Sequence, residues 1–254
     1  MRIPFRLPLT AALLLASQQH ALAAASILIW PIDPVIEDQQ QATALWLENR
    51  DSKPVYMQIR VLGWKQTAGK DDYSNQSDVI ASPPVASIAP GKRQLIRLIK
   101  QSAPAAGQER AYRILVDEVP VKEQAQDAAP GGAEMGLKFQ MRYSVPLFVS
   151  GKGIWTKQDS EKPRDYATAS QPQLSYRLQQ QSSERWLEVR NQGAVHARIS
   201  KVTLQGRSLN PGLMGYVLPG SQMRFALPPA GGFSSGKLMA TVNDNKQPVA
   251  IPSY

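Results

Sequence analysis

The residue types that carry most enzyme chemistry are scarce in this chain of 254 residues. It has no cysteine and two histidines, His20 and His196, of which His20 falls in an apolar N-terminal segment. A Ser-His-Asp arrangement needs a positioned histidine, and one histidine without cysteine leaves little beyond carboxylates to bind a metal. No glycine pattern follows a strand and opens a helix, as a phosphate-binding loop requires. We therefore predict no catalytic residue, no metal site and no cofactor.

His196 itself lies between Val195 and Ala197 in a short strand pattern of the second half. We expect an exposed strand histidine rather than a general base. An enzyme built on a β-sandwich is consequently the most distant of the functional alternatives.

A different kind of chemistry is indicated by an alternating segment near the middle of the chain. Every second residue there is apolar or aromatic: Leu137, Phe139, Met141, Tyr143 and Val145. The alternation alone indicates a β-strand with one buried face. The alternative is that the first half of this strand adds to a partner's sheet while its apolar row fills the partner's groove. The polar connector 122–136 precedes the segment, and its composition and length predict flexibility.

The N-terminal residues predict export. Arg2 and Arg6 precede an apolar run that ends in small residues, which is the order of a secretory signal peptide, assigned to 1–25. The run is shorter than the roughly 20 residues of a transmembrane helix, so we predict no stable membrane insertion. Without the two signal arginines, 27 basic residues stand against 20 acidic ones, a net charge of +7. This excess forms no dense basic run, so nucleic acid is not an expected partner.

The rest of the chain predicts an all-β protein. Short alternating segments bounded by Pro, Gly, Asn and Asp recur at the spacing of a β-sandwich, and no window has a sustained helical period.

Two phrases of the first half recur in the second half. Trp46-Leu47-Glu48-Asn49-Arg50 is echoed by Trp186-Leu187-Glu188-Val189-Arg190-Asn191, and the turn Pro90-Gly91 with its flanking strands is echoed by Pro219-Gly220. Two sandwiches of related design are the simplest explanation, and chance similarity of two turn phrases is the alternative.

This repeat predicts the domain organisation. We place an N-terminal domain at 26–152 and a C-terminal domain at 173–254. The polar stretch between them, 153–172, contains the boundary.

Five segments of the first half carry a resemblance to a known family. In chain order they are Ser82-Pro83-Pro84-Val85, Ile88-Ala89-Pro90-Gly91, Leu95-Ile96-Arg97-Leu98, Tyr112-Arg113-Ile114-Leu115-Val116-Asp117-Glu118-Val119-Pro120 and Val145-Pro146-Leu147-Phe148-Val149. Together they resemble the first domain of the periplasmic chaperones of chaperone–usher pilus systems, the PapD-like family. The Ser82-Pro83 step resembles the family's Pro-Pro turn, where a cis bond is compatible with proline.

The resemblance implies two immunoglobulin-like β-sandwich domains in a boomerang arrangement, in the periplasm. It implies a chaperone that binds, folds and caps pilus subunits by donor-strand complementation and delivers them to an outer-membrane usher. The donor residues carried over are Leu137, Phe139 and Met141, with Tyr143 next to the interdomain cleft. Some members pair with themselves when they hold no client, so self-association stays open.

The chain departs from the better-known members at the carboxylate clamp. Those members bind the subunit's terminal carboxylate with an Arg on the first strand and a Lys on the last strand of the first domain. Pro31 and Pro146 occupy the aligned positions here. The pattern at Trp30-Pro31 and at 143–146 instead resembles the archaic class, whose systems build thin pili often used in biofilm attachment.

A replacement for the clamp must be basic and close to the cleft. Alternation with Ile114 and its neighbours puts Arg113 on the opposite face, beside the last strand, which makes it our first candidate. Arg142 is the second, because it shares the donor strand but lies opposite the apolar row. Arg97 is the third, because its neighbours suggest an internal ion pair with an acidic residue such as Glu118. The alternative for Arg113 is an exposed strand arginine without a special role.

The second functional alternative is a structural pilus subunit or adhesin. A subunit should carry a spare N-terminal extension for the next subunit, yet a strand-like segment, 27–30, follows the signal almost at once. We therefore expect the chaperone.

Overall fold

Residues 27–120, 140–158, 163–227 and 236–254 are described by the structure, which is a computed structural model. The first half contains β1 (Ile27–Trp30), β2 (Val35–Ile36), β3 (Ala42–Asn49), β4 (Val55–Thr67), β5 (Lys70–Ser74), β6 (Val79–Ser82), β7 (Val85–Ile88), β8 (Arg93–Lys100), β9 (Glu109–Glu118) and β10 (Arg142–Ser150). The second half contains β11 (Leu174–Gln181), β12 (Glu184–Asn191), β13 (Ala197–Leu204), β14 (Arg207–Val217), β15 (Gln222–Ala226), β16 (Leu238–Val242) and β17 (Val249–Ile251). A short 3-10 helix, Tyr166–Thr168, lies between the halves.

The strands of each half form two sheets. In the first half, one sheet has the order β1-β3-β8-β6 and the other the order β2-β10-β9-β4-β5, with β7 also pairing with β4. In the second half, the orders are β11-β12-β15 and β14-β13-β16-β17. Pairing is antiparallel except between β10 and β2, which run parallel. The predicted all-β class is confirmed.

Each half buries its own core between its two sheets. Leu47 of β3 and Ile114 of β9 are fully buried in the first core, and Leu187 of β12 and Val202 of β13 in the second. Each large apolar side chain buried in this way contributes roughly 1.5–3 kcal/mol. Within the described residues, no helix has the length and apolar composition needed to cross a membrane.

The peptide bond before Pro83 is cis, as the resemblance allowed, and the bond before Pro31 is cis as well.

A buried asparagine fastens a Pro-Gly turn in each sandwich. In the first, the Asn49 side-chain Nδ2 donates to the carbonyl oxygens of Ile88, at 2.9 Å, and Lys53, at 2.8 Å. In the second, Asn191 Nδ2 donates to the carbonyl oxygens of Val217, at 3.1 Å, and Val195, at 2.8 Å. Three of these four bonds are buried, where an unpaired carbonyl group would be costly. The repeat seen in the sequence therefore corresponds to the same asparagine–turn hydrogen bonding in both sandwiches.

The structure corrects how the two phrases align. The backbone N–H of Asn49 donates to Lys92 and that of Asn191 to Ser221, each two residues after the proline of its turn. Superposing the asparagines puts Trp46 opposite Glu188 and not opposite Trp186. The offset of two residues keeps every side chain on the same face, so the sequence pattern could not reveal it.

On the outer face of the first sandwich, Asp117 of β9 binds the first residue of β10 through an ion pair. Asp117 lies directly opposite Arg142 in the register of β9 and β10, and its carboxylate accepts hydrogen bonds from Arg142 Nε and, at 2.7 Å, from Arg60 Nη2 on β4. Burial alone would raise the pKa of Asp117. The hydrogen bonds and charges of the two arginines outweigh it and hold the pKa below its ordinary value.

We predict that Asn191→Ala lowers the free energy of unfolding of the second sandwich by about 2–4 kcal/mol, because it leaves several buried backbone groups unpaired. Urea denaturation followed by circular dichroism measures the loss. Exposed Asn75→Ala is the matched control and should change little. A loss for Asn191→Ala no larger than that of the control would contradict the role of the asparagine.

We predict that Asp117 stabilises the fold above its unfolded-state pKa, about 3.9, and that this contribution is lost as the pH falls through the lower folded-state pKa. The sign follows because the folded state binds the proton less readily than the unfolded state. Urea denaturation of wild type and Asp117→Asn at neutral pH and in acid measures the difference, which should shrink in acid. The corresponding difference for exposed Asp72→Asn should stay small, and a pH-independent Asp117 difference would contradict the account.

Candidate functional site

One edge of β10 is open over most of its length. β10 pairs with β9 from Arg142 to Ser150, but on its other side only Phe148 and Val149 pair, with Val35 and Ile36 of β2. Along 142–147, no strand among the described residues covers the outer edge of β10. A sheet edge without a neighbouring strand offers backbone donors and acceptors to which another chain can add a strand.

The two faces of β10 have different neighbours. Val145, Leu147 and Val149 lie in the core of the first sandwich, whereas Phe148 lies on the opposite face, against the second sandwich. Tyr143 shares the inner face, packs against the core, and its Oη accepts a hydrogen bond of 3.3 Å from the Ile27 N–H. The expectation that Tyr143 lies beside the interdomain cleft is therefore wrong, because alternation places it between β10 and β1.

The predicted donor row lies largely outside the described residues. Leu137 and Phe139 belong to the segment 121–139, which lies outside the described residues, and so does the whole connector 122–136. Met141 is described and is 37% exposed. Its backbone N–H donates to Glu118 Oε2 at 3.3 Å, so the chain is already beside β9 at this point.

Arg113 lies between the two sandwiches. Its guanidinium carbon is 3.7 Å from the ring centroid of Trp64 and 5.3 Å from that of Tyr216, which belongs to the second sandwich. Its Nε is buried and has no hydrogen-bond partner among the described residues. In the register of β9 and β10 it lies opposite Pro146. A guanidinium held flat by aromatic faces keeps its donors available to a carboxylate.

The other two candidate arginines lie elsewhere. Arg142 forms an ion pair with Asp117 on the outer face of the sheet. Arg97 is exposed on β8, in the sheet that does not contain Glu118. The internal ion pair expected between Arg97 and Glu118 is therefore wrong, because the two residues belong to opposite sheets of the sandwich. Of the three candidates, Arg113 is the one that lies at the junction.

His196 is buried, which corrects the expectation of an exposed strand histidine. Only 4% of it is exposed. Its ring stacks on Phe148 with the centroids 3.4 Å apart, and its Nδ1 lies 3.0 Å from both carboxylate oxygens of Glu109 on β9. The His196 backbone N–H also donates to Glu109 Oε1 at 2.8 Å. The histidine therefore connects the two sandwiches.

Two further polar contacts cross the same junction. Gln66 of β4 donates from Nε2 to the Tyr216 carbonyl oxygen at 2.9 Å and accepts at Oε1 from the Leu218 N–H at 2.8 Å. Asp33 accepts a hydrogen bond of 3.1 Å from Arg198 of the second sandwich and also pairs with Lys157. These directional bonds fix the position of the second sandwich relative to the first, and thereby the shape of the cleft around Arg113.

Trp64, Tyr216 and Glu109 are residues of the junction that were not predicted from the sequence. A usable signal was the loss of alternation in Val61-Leu62-Gly63-Trp64 and in Val145-Pro146-Leu147-Phe148-Val149. A strand that is apolar on both faces is covered on both faces. At these places the second sandwich supplies the outer cover.

Residues 34–154 match the model of a family described as pili and flagellar-assembly chaperone, PapD N-terminal domain. No curated protein sequence matches the chain.

Solved structures resemble the chain over nearly its whole length. A chain in the crystal structure of the CsuC–CsuE chaperone–tip adhesion subunit pre-assembly complex, from the archaic chaperone–usher Csu pili of Acinetobacter baumannii, is 34% identical with a TM-score of 0.72. The match covers 91% of this chain and 100% of that one.

Two more distant structures show the same fold. The Salmonella enterica SafA pilin–SafB chaperone complex matches with 15% identity and a TM-score of 0.60, covering 91% of this chain and 97% of that one. The E. coli chaperone DraB matches with 16% identity and a TM-score of 0.59, covering 89% and 98%.

The resemblance seen in the sequence is thereby confirmed, including the two-domain immunoglobulin-like fold. The protein belongs to the PapD-like family of pilus-assembly chaperones of the chaperone–usher pathway, with an archaic member as its 34%-identical relative.

Proposed function

We propose that this chaperone captures a pilus subunit by donor-strand complementation through the segment that leads into β10. The observation that carries the proposal is the open edge of β10 along 142–147, directly after the apolar row of Leu137, Phe139 and Met141. An added client strand would pair with this edge, and the apolar row would fill the client's groove. Each large side chain so buried contributes roughly 1.5–3 kcal/mol.

A second edge lies beside the first. β1 is the edge strand of the other sheet of the sandwich, and the hydrogen bond between Ile27 and Tyr143 joins the ends of the two edges. A client sandwich that lacks a strand could thus continue the β10 sheet without removing any contact of the first core. This supports a client that is itself a β-sandwich.

Arg113 is the proposed anchor for the terminal carboxylate of the client. It lies in the junction, opposite Pro146, and stacks on Trp64. Arginine binds a carboxylate through two parallel hydrogen bonds, which fixes direction as well as affinity. The anchor would set where along β10 the client strand begins.

Membership of the family supports the remaining features of the proposal. The protein works in the periplasm, passes its client to an outer-membrane usher and is not an enzyme. The domain bounds 26–152 and 173–254, on either side of 153–172, remain our proposal, as do the signal peptide 1–25, the role of the pili in biofilm attachment and self-association in the absence of a client.

We predict that Phe139→Asp or Met141→Asp abolishes client capture while the chaperone stays folded, because an aspartate buried in an apolar groove without a partner costs more than the lost contact contributed. Quantitative mass spectrometry of the proteins that co-purify with the tagged chaperone from the periplasm measures capture, and thermal unfolding checks the fold. Gln140→Asp, on the opposite face of the same segment, is the matched control. Normal client recovery with either apolar variant would rule out the donor segment, and an unfolded variant would place its face in the chaperone's own core.

We predict that Arg113→Ala lowers client recovery sharply with little change in thermal stability, because a charged, partly buried contact of this kind is worth roughly 2–5 kcal/mol. Arg142→Ala, whose partner is Asp117, should lower recovery less. Undiminished recovery with Arg113→Ala, or a large loss of stability in the free protein, would remove Arg113 from the binding site.

A further inference from the structure

A carboxylate is hydrogen-bonded to residues that surround Arg113. Asp71 of β5 is exposed, yet it accepts three side-chain hydrogen bonds: from Trp64 Nε1 at 2.8 Å, from Gln66 Nε2 at 2.9 Å and from Tyr73 Oη at 3.3 Å. Three donors on one surface carboxylate restrict three side chains at once. Each of these three side chains contacts or adjoins a residue of the Arg113 site.

Trp64 and Tyr73 lie on the same face of the sheet as Arg113. The two residues are opposite each other in the register of β4 and β5, so their rings share the outer face of the sheet on which Arg113 lies. Trp64 is the ring under the Arg113 guanidinium, at 3.7 Å. Burial and the Asp71 charge raise the pKa of the Tyr73 hydroxyl, and the Arg113 guanidinium opposes part of that rise. The hydroxyl donates to Asp71 Oδ2.

Gln66 connects Asp71 to the side of the Arg113 site that the second sandwich forms. The Nε2 that donates to Asp71 also donates to the carbonyl oxygen of Tyr216, whose ring is the other aromatic neighbour of Arg113, at 5.3 Å. Asp71 thus contacts the residues that set both walls of the site.

We propose that Asp71 is a positioning residue for carboxylate capture: it holds Trp64, Tyr73 and Gln66 so that the Arg113 guanidinium faces the interdomain cleft before a client arrives. This inference rests on the proposed anchoring role of Arg113. Preorganisation of this kind increases affinity because less freedom is lost on binding.

The direction in which carboxylate affinity changes when Asp71 is removed distinguishes positioning from direct charge repulsion. A client carboxylate at Arg113 would be repelled by the Asp71 charge, so Coulomb interaction alone predicts that removing Asp71 strengthens binding. Positioning predicts the opposite, namely that Asp71→Ala weakens the binding of a carboxylate.

The test uses the full mature chaperone and a pair of synthetic peptides of alternating valine and serine, one ending in a free carboxylate and the other in a carboxamide. We expect wild type to bind the acid peptide more tightly. Asp71→Ala should weaken acid binding about three- to tenfold and leave amide binding unchanged, in line with the loss of indirect hydrogen bonds. Tyr73→Phe, which keeps the ring and removes only the hydroxyl that donates to Asp71, should give a smaller loss of the same kind.

The controls separate failure of this inference from failure of the anchor. Asp72→Ala, one residue along β5 and on its opposite face, should change neither affinity. In the Arg113→Ala background, Asp71→Ala should cause no further loss, because both residues act on one interaction. Unchanged or tighter acid binding by Asp71→Ala, with discrimination intact in wild type, overturns the inference alone. Absence of any acid–amide difference in wild type overturns the Arg113 anchor and the inference with it.

Discussion

The burial of Phe148 where the two sandwiches meet is the constraint on which the open edge of β10 depends. Its ring is fully buried, stacked on His196 and close to Trp64 and Tyr216. The pairing of Phe148 with β2 fixes the same half of the strand through the backbone. Residues 148–149 are packed on both faces and paired on both edges. Residues 142–147 can therefore stay paired with β9 although no described strand covers their outer edge.

The junction is built as much from directional polar contacts as from apolar packing. Glu109 with His196, Gln66 with two backbone groups, and Asp33 each connect the first sandwich to the second. Buried polar pairs of this kind contribute little net stability but permit few alternative arrangements. A fixed arrangement is what an anchor between two domains requires, since the walls around Arg113 come from both.

Local patterns in the sequence predicted the strands and the repeated Pro-Gly turns, because alternation and turn residues act over a few positions. They could not predict the burial of His196, whose partner Glu109 is 87 residues away in the chain. Arg97 was misplaced for a related reason, since alternation gives the face of a strand but not the sheet to which it belongs. Arg113 lies at the junction. The loss of alternation before Trp64 indicates a second covered face, but it does not reveal that the ring of Trp64 lies against the Arg113 guanidinium, because the two residues are on different strands.

Hydrogen exchange at the backbone amides of 142–147, in the free chaperone and in its complex with a co-purified subunit, tests the central claim most directly. In the free protein, alternate amides paired with β9 should be protected, and those on the open edge should exchange rapidly. Client binding should protect the open-edge amides as well. Open-edge amides that are already protected in the free protein, or that stay unprotected in the complex, would contradict strand addition at β10.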